Sequence, residues 1–420
     1  MIKNLLSVAV LLIVLLQLPS VSAQDWPEFL GAGGTARSAD KVPMTWSENE
    51  NLLWKLDLPG SGSSSPIIVG DRVFVVCFKE SKKSFSRFVL CVDKASGKEL
   101  WSKEFPVDYV EDSYRGYIQE HGYASNTPVS DGEHLYVFLG KGGVQALDFD
   151  GNVKWSKIVG EQSSNRGWGS GSSLIVHDDL VIVNATEESR AIIALKKSSG
   201  EEAWRNESRE LELAYGTPRV VQLSDESKEI VFSAPGKIWA MDGANGKTKW
   251  SAKTPATGNV SPSVIVDGET VYTFGGYRSS GSVSVRAGGK GDVSKSHVNW
   301  TSRTSSYVAT PLLHDGQFYW IDDRGLANST SVTDGKEVYR ERVSGLTGRP
   351  VYTSPILIDG KVFAVTRRAG TIVYEPGSKF AEIARNRFAG DDTDFNASPA
   401  ISENKLYLRS NKALYCVGEK

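Results

Sequence analysis

Arginines, carboxylates and flat aromatic side chains gather in a few loops of this 420-residue chain, in a combination that suits holding a ligand. Ten of them are the expected ligand-binding set: His121, Tyr123, Arg166, Trp168, Glu188, Arg278, Asp323, Arg324, Arg368 and Arg409. Tyr117, Glu187, Arg190, Asp322 and Arg367 fall in the same loops. An arginine fork meets carboxylate, sulfate or phosphate with two parallel hydrogen bonds, and Tyr, Trp and His offer faces on which a ring can stack. The expected ligand is therefore polar, with anionic or sugar-like character. The plain alternative is that these charges pair with one another and with solvent as ordinary loop residues.

Other chemistries find less support. The five histidines, 121, 134, 177, 297 and 314, are scattered and show no zinc-ligand spacing. Gly140-Lys141-Gly142-Gly143 and Gly288-Gly289-Lys290-Gly291 imitate phosphate loops, but no helical pattern follows either, and both read as β-turns. No catalytic constellation and no metal set is assigned. Cys77, Cys91 and Cys416 are odd in number. Cys91 and Cys416 take a repeat position filled elsewhere by Ala146, Ala194 and Ala240, which marks them as small buried residues.

The loops must be carried by a scaffold, and the clearest unit of that scaffold is 236–250, GKIWAMDGANGKTKW. It reads as a strand, a turn rich in residues that tolerate positive φ, and a return strand ending in Trp250. Relatives of it recur along the chain. A Ser or Thr, usually before Pro, opens a short apolar strand at Ser65, Thr127, Ser172, Thr217, Ser261, Thr310, Ser354 and Ser398. Proline is tolerated at the first position of a strand and forces the residue before it into an extended conformation. Each opening is followed by a turn such as Val266-Asp267-Gly268, a second strand, a third strand, and often a Gly-x-x-x-Trp return. Four strands per repeat of about 45 residues predicts an all-β fold of propeller blades.

Ring closure follows from the ends. The last repeat, 400–417, stops after its third strand, while Asn51-Leu52-Leu53-Trp54-Lys55-Leu56 reads as a fourth strand with no blade before it. Joining them yields an eight-bladed β-propeller of four-stranded antiparallel blades, and it hides the sheet edges an open stack would expose. The expected aromatic belt is Trp54, Trp101, Trp155, Trp204, Trp250, Trp300, Tyr339 and Phe388. The mouth of the channel would be shaped by loops 105–126, 159–170 and 205–216 and by the second-to-third-strand hairpins.

With these repeats on the page, the chain resembles the PQQ-like-repeat, quinoprotein-type eight-bladed propellers. The likeness is greatest to secreted bacterial PQQ-binding-like propellers, through the opening Asp25-Trp26-Pro27-Glu28-Phe29-Leu30-Gly31 and the fifth-blade segment Arg286-Ala287-Gly288-Gly289-Lys290-Gly291-Asp292-Val293. It extends more distantly to the outer-membrane assembly propeller and the quinoprotein alcohol dehydrogenases. The dehydrogenase branch implies PQQ with calcium, two adjacent cysteines over the quinone, a tryptophan floor and a catalytic aspartate. No adjacent cysteine pair exists here, and Glu188 and Asp323 match the calcium ligands by type alone. The expectation is an exported, non-catalytic binding or scaffold propeller without cofactor, facing a protein or polysaccharide of the cell envelope as a monomer; a quinoprotein dehydrogenase is the alternative.

The N-terminus fits export. Lys3, the apolar run 5–18 and Val21-Ser22-Ala23 form a signal-peptide pattern over 1–23, with cleavage expected after Ala23, and the place of the mature protein is then periplasmic or secreted. Residues 24–50 are expected as an arm docked on a propeller spanning 51–420. A formal charge of −2 with no long single-sign run argues against a nucleic-acid partner.

Overall fold

The computed structural model describes residues 25–80, 85–277 and 279–420. The signal-peptide pattern and Arg278 lie outside the described residues. Eight antiparallel sheets follow one another in the order of the chain, at 67–106, 129–157, 175–207, 219–253, 265–302, 312–342, 356–386 and 400–417. The eighth is completed by Leu52–Asp57, which pairs antiparallel with Ala413–Val417 and sets Trp54 opposite Cys416. This is the expected closed eight-bladed propeller.

Second and third strands are buried on both faces because a neighbouring blade covers each face. Leu180–Ala185 shows the result, with all six residues buried. The apolar clusters accordingly lie between blades: Phe74, Val76 and Val89 of the first pack with Leu135, Val137 and Leu147 of the second. Outer strands alternate polar and apolar residues, as a half-covered edge requires.

Ser65, Thr127, Ser173, Thr217, Ser263, Thr310, Ser354 and Ser398 link the inner strands. Each side-chain oxygen accepts the backbone N–H of its counterpart one blade earlier, at 2.9–3.1 Å, and Ser398 N–H returns to Ser65 Oγ. Two of the sequence markers shift: in the third and fifth blades the ring residue is Ser173, not Ser172, and Ser263, not Ser261. In the fifth blade Ser261-Pro262 drew the reading two residues early, and in the third Ser172-Ser173 offers two adjacent hydroxyls of which the second is used.

An outer belt of aromatics forms the second link. Trp54, Trp101, Trp155, Trp204 and Trp300 donate their indole N–H to backbone oxygens of the next blade's turn. The Gly in Gly-x-x-x-Trp is explained by the same contact. Gly246 has φ +70°, and a Cβ there would lie 2.3 Å from the Trp204 ring. Trp250 departs from the rule: it donates to buried Glu229 at 2.7 Å, where the inserted strand Gly291–Asp292 pairs alongside the fourth blade. The expected eighth aromatic is also corrected. By register the equivalent position in the seventh blade is Ala384, opposite Val373, whereas Phe388 lies beyond that strand and stacks on Tyr415 at 4.1 Å. A larger residue in the facing slot leaves room for a smaller one across from it. Cys91 and Cys416 sit opposite Trp101 and Trp54, in the small slot expected for them.

Residues 25–38 lie against the inner strands at the lower end of the channel, and the rest of the arm passes out past Asn404 and Asn386 to the closing strand. Trp26 exchanges two hydrogen bonds with Ile68, Pro27 accepts from Ser130, and Ala36 accepts from Leu357, all on inner strands. The arm thus pairs backbone groups that the inner edges would otherwise leave open. Glu28 and Arg219 anchor it: Arg219 is 3% exposed, lies 3.5 Å from the Glu28 carboxylate and donates to Phe29 O at 3.0 Å.

Thr217→Val strands the buried Ser173 N–H and is expected to lower unfolding stability by about 1–3 kcal/mol, while Thr217→Ser keeps it, as denaturant titration will show. Deleting 51–58 removes the closing strand. Thermal unfolding of that variant should lose its cooperative transition; a melt like that of the full chain would argue against closure by this strand.

Candidate functional site

Backbone in an extended conformation returns to the same side every second residue. The ring Ser and Thr face the axis, and so do the residues two positions before them: Ser63, Ser125, Gly171, Tyr215, Ser261, Val308, Tyr352 and Asn396. Together, Thr310 excepted, they wall a cavity of about 180 Å³ on the channel axis. Its floor includes Phe29 of the arm. Its rim comes from the short helix Tyr117–His121 and from Trp168 and Tyr307 on neighbouring loops.

The rim is a collar of aromatic rings. Tyr117 meets Trp168 edge-on at 4.4 Å, Trp168 stacks on Tyr215 at 6.2 Å, and Tyr117 meets Tyr307 at 6.4 Å. Arginines lie over three of these faces: Arg349 over Tyr117 at 5.2 Å, Arg166 over Trp168 at 5.5 Å and Arg367 over Tyr352 at 4.8 Å. Arg367 also pairs with Glu120 at 2.8 Å and Asp394 at 2.5 Å. His121 fixes the collar from inside. Its Nε2–H donates to Trp168 O at 3.0 Å, leaving Nδ1 to accept from Ser125 Oγ at 2.6 Å, and burial pushes its pKa below the ordinary histidine value.

Of the expected site residues, His121 and Trp168 line this cavity and Arg166 covers the Trp168 face. Tyr123 lies behind the wall, stacked on Phe85 at 4.1 Å and donating to Asp112 O at 2.6 Å. Arg324 pairs with Asp322 at 3.1 Å and Arg368 with Asp394 at 2.5 Å. Asp323 is half-buried, its pKa raised by burial and by Asp322. Arg409 is corrected as a mouth residue: it is 1% exposed and donates to Ser64 O at 2.6 Å and Cys77 Sγ at 3.3 Å, in the seam between the last and first blades. The sequence reading missed Tyr215, Asn259, Tyr307, Tyr352 and Asn396. For Tyr215, Tyr352 and Asn396 the signal was available, two residues before each ring Ser or Thr.

Glu188 sits in a smaller pocket behind Trp168, with Glu187 beside it on the turn Thr186–Ser189. Glu187 accepts from Leu213 N at 3.1 Å and from Tyr215 OH at 3.3 Å, and so holds one collar residue in place. Burial raises Glu187 to about 7; burial and then the neighbouring Glu187 raise Glu188 to about 8. Across the pocket Arg87 is committed to Glu111 at 2.8 Å, and Lys141 to Asp112 at 3.4 Å.

The residues present do not fit the quinone and calcium that the dehydrogenase resemblance implies. All three cysteines are buried in the blade sheets, and the carboxylate lining the cavity, Glu120, is held by Arg367. Among the described residues no group of three or more His, Cys, Asp and Glu could hold a metal ion.

A family model described as outer membrane protein assembly factor BamB matches residues 159–375. Among solved structures, BamB from Moraxella catarrhalis is 15% identical, covers 87% of this chain and 99% of its own, and superposes with a TM-score of 0.61. The quinohemoprotein alcohol dehydrogenase from Comamonas testosteroni is 12% identical, covers 94% of this chain and 81% of its own, and gives 0.58. At these identities the two share the fold. No curated protein matches the chain in sequence.

Both buried glutamates hold protons in the folded state above the ordinary value of 4.5, so folding stability is full below that pH and falls as pH rises through about 7 to 8. Glu188→Gln is expected to flatten this decline and to gain about 1 kcal/mol or more at pH 8.5, measured by chemical unfolding at pH 5 and pH 8.5.

Proposed function

The chain belongs to the family of the outer membrane protein assembly factor BamB, and from that premise we propose that it is an exported binding or scaffold propeller that holds a polar component of the cell envelope at its channel mouth. The observation that carries this reading is the aromatic collar over a cavity on the propeller axis. Tyr117, Trp168, Tyr215, Tyr307 and Tyr352 set large amphipathic rings around one opening, the composition that dominates binding sites. The rings are braced by Glu187, His121 and the arginines, so little ordering is left for binding to oppose.

Export is supported by the pattern in residues 1–23, and an envelope location by the family. Among the described residues no helix is long and apolar enough to cross a membrane. Binding is favoured over quinone-dependent oxidation because the cavity lacks the donor set that chemistry needs.

The test uses the mature protein immobilised and challenged with envelope extract, beside the double variant Trp168→Ala, Tyr215→Ala with its fold checked by circular dichroism. Capture is expected to fall at least about tenfold in the variant, in keeping with the loss of two aromatic anchors. Equal capture by both proteins would remove the mouth as the site. Calcium and PQQ added to the purified protein should leave no retained cofactor absorbance; stoichiometric retention with dye reduction would overturn the reading in favour of a redox enzyme.

A further inference from the structure

We infer that the mouth cavity is a saccharide site that receives the terminal pyranose of a neutral glycan, an inference resting on the reading that the mouth binds.

Charge excludes the other ligand classes. Among the described residues no Arg or Lys lines the cavity, so an anion would find no fork among them. Its carboxylate, Glu120, is compensated by Arg367, and His121 has both ring nitrogens engaged. A cation is disfavoured as well, because Arg349, Arg166 and Arg367 already lie over the Tyr117, Trp168 and Tyr352 faces and would repel it. What is left is neutral.

The lining then specifies the neutral ligand. Aromatic faces accept the C–H surface of a ring, and hydroxyls and amides below them accept and donate to its edge. One buried polar atom in this lining has no hydrogen-bond partner within the protein, Asn396 Oδ1, whereas the Tyr352 hydroxyl is engaged by Arg349. Asn396 is 9% exposed, and its Nδ2 donates to Glu120 O at 2.6 Å, which directs Oδ1 as the open acceptor. An unpaired buried acceptor costs free energy that a ligand hydroxyl recovers. A pyranose combines an apolar face with a rim of hydroxyls. The floor decides which part of a glycan enters: Phe29 and the arm close the channel below, so a chain end fits and a chain passing through does not.

The mature protein is applied to an array of neutral and sialylated oligosaccharides, and hits are titrated by calorimetry together with glucose, galactose, mannose, N-acetylglucosamine and tetramethylammonium. Neutral glycans with one recurring terminal hexose are expected to bind. Asn396→Ala and Asn396→Leu should each weaken them at least tenfold, with a fold unchanged by circular dichroism. The inference is overturned by an array blank for neutral glycans, by tighter binding of sialylated probes or tetramethylammonium, or by unchanged affinity in the folded Asn396 variants. If the array is blank while capture from envelope extract still depends on Trp168 and Tyr215, the saccharide falls and the binding reading stands.

Discussion

Eight hydrogen bonds, each from a main-chain N–H to the side-chain oxygen of the next blade's inner strand, hold the centre of this molecule together. Inner strands of a propeller converge on the axis, where their edges cannot pair with one another as a sheet does. A hydroxyl at the entrance of each strand solves this, because it reaches across the gap and satisfies a buried N–H. The cavity exists because the same eight positions set the radius at which the next residues outward along the chain, two before each hydroxyl, face the axis.

The lower half of the axis has a different solution. There the arm supplies backbone partners to inner strands of the first, second and seventh blades, and Arg219 reaches in from the fourth. Glu28 and Arg219 are both buried, and burial pushes the Glu28 pKa up and the Arg219 pKa down. Each charge is tolerable because the other is present, so the arm and the fourth blade depend on one another. A channel that would otherwise be open at both ends becomes a blind pocket with Phe29 at its base. That converts a structural element into a determinant of what the mouth can receive.

The periphery repeats the logic with other groups. Indoles bridge to the next blade's turn where a glycine leaves room, and Trp250 shows what happens when an insertion displaces that turn: Glu229, fully buried and paired with Lys249 at 3.0 Å, substitutes for the missing carbonyl. The seventh blade gives up its belt aromatic at Ala384, and Trp46 from the arm stacks on Phe363 in the same row of the sheet. Departures from the repeat occur where an inserted strand or the arm alters what a blade must pack against.

Much of the architecture was legible because repetition multiplies a weak signal. One strand-turn-strand unit says little, but its recurrence, with a lone fourth strand at one end and a missing one at the other, specifies eight blades and their closure. The wall of the cavity was partly legible as well, since Tyr215, Tyr352 and Asn396 stand two residues before their ring hydroxyls, and period two places them on the axis. Pairing was not. Whether Arg367 or Arg368 faces a ligand or a carboxylate depends on separate loops meeting in space, although Arg324 pairs within its own turn, and Arg409 entered the seam between the last and first blades through ring closure alone. Local sequence determined the blades because strand, turn and return are near-neighbour events. The charge of the cavity, its collar and its floor were decided by tertiary structure, because each is made from residues hundreds of positions apart.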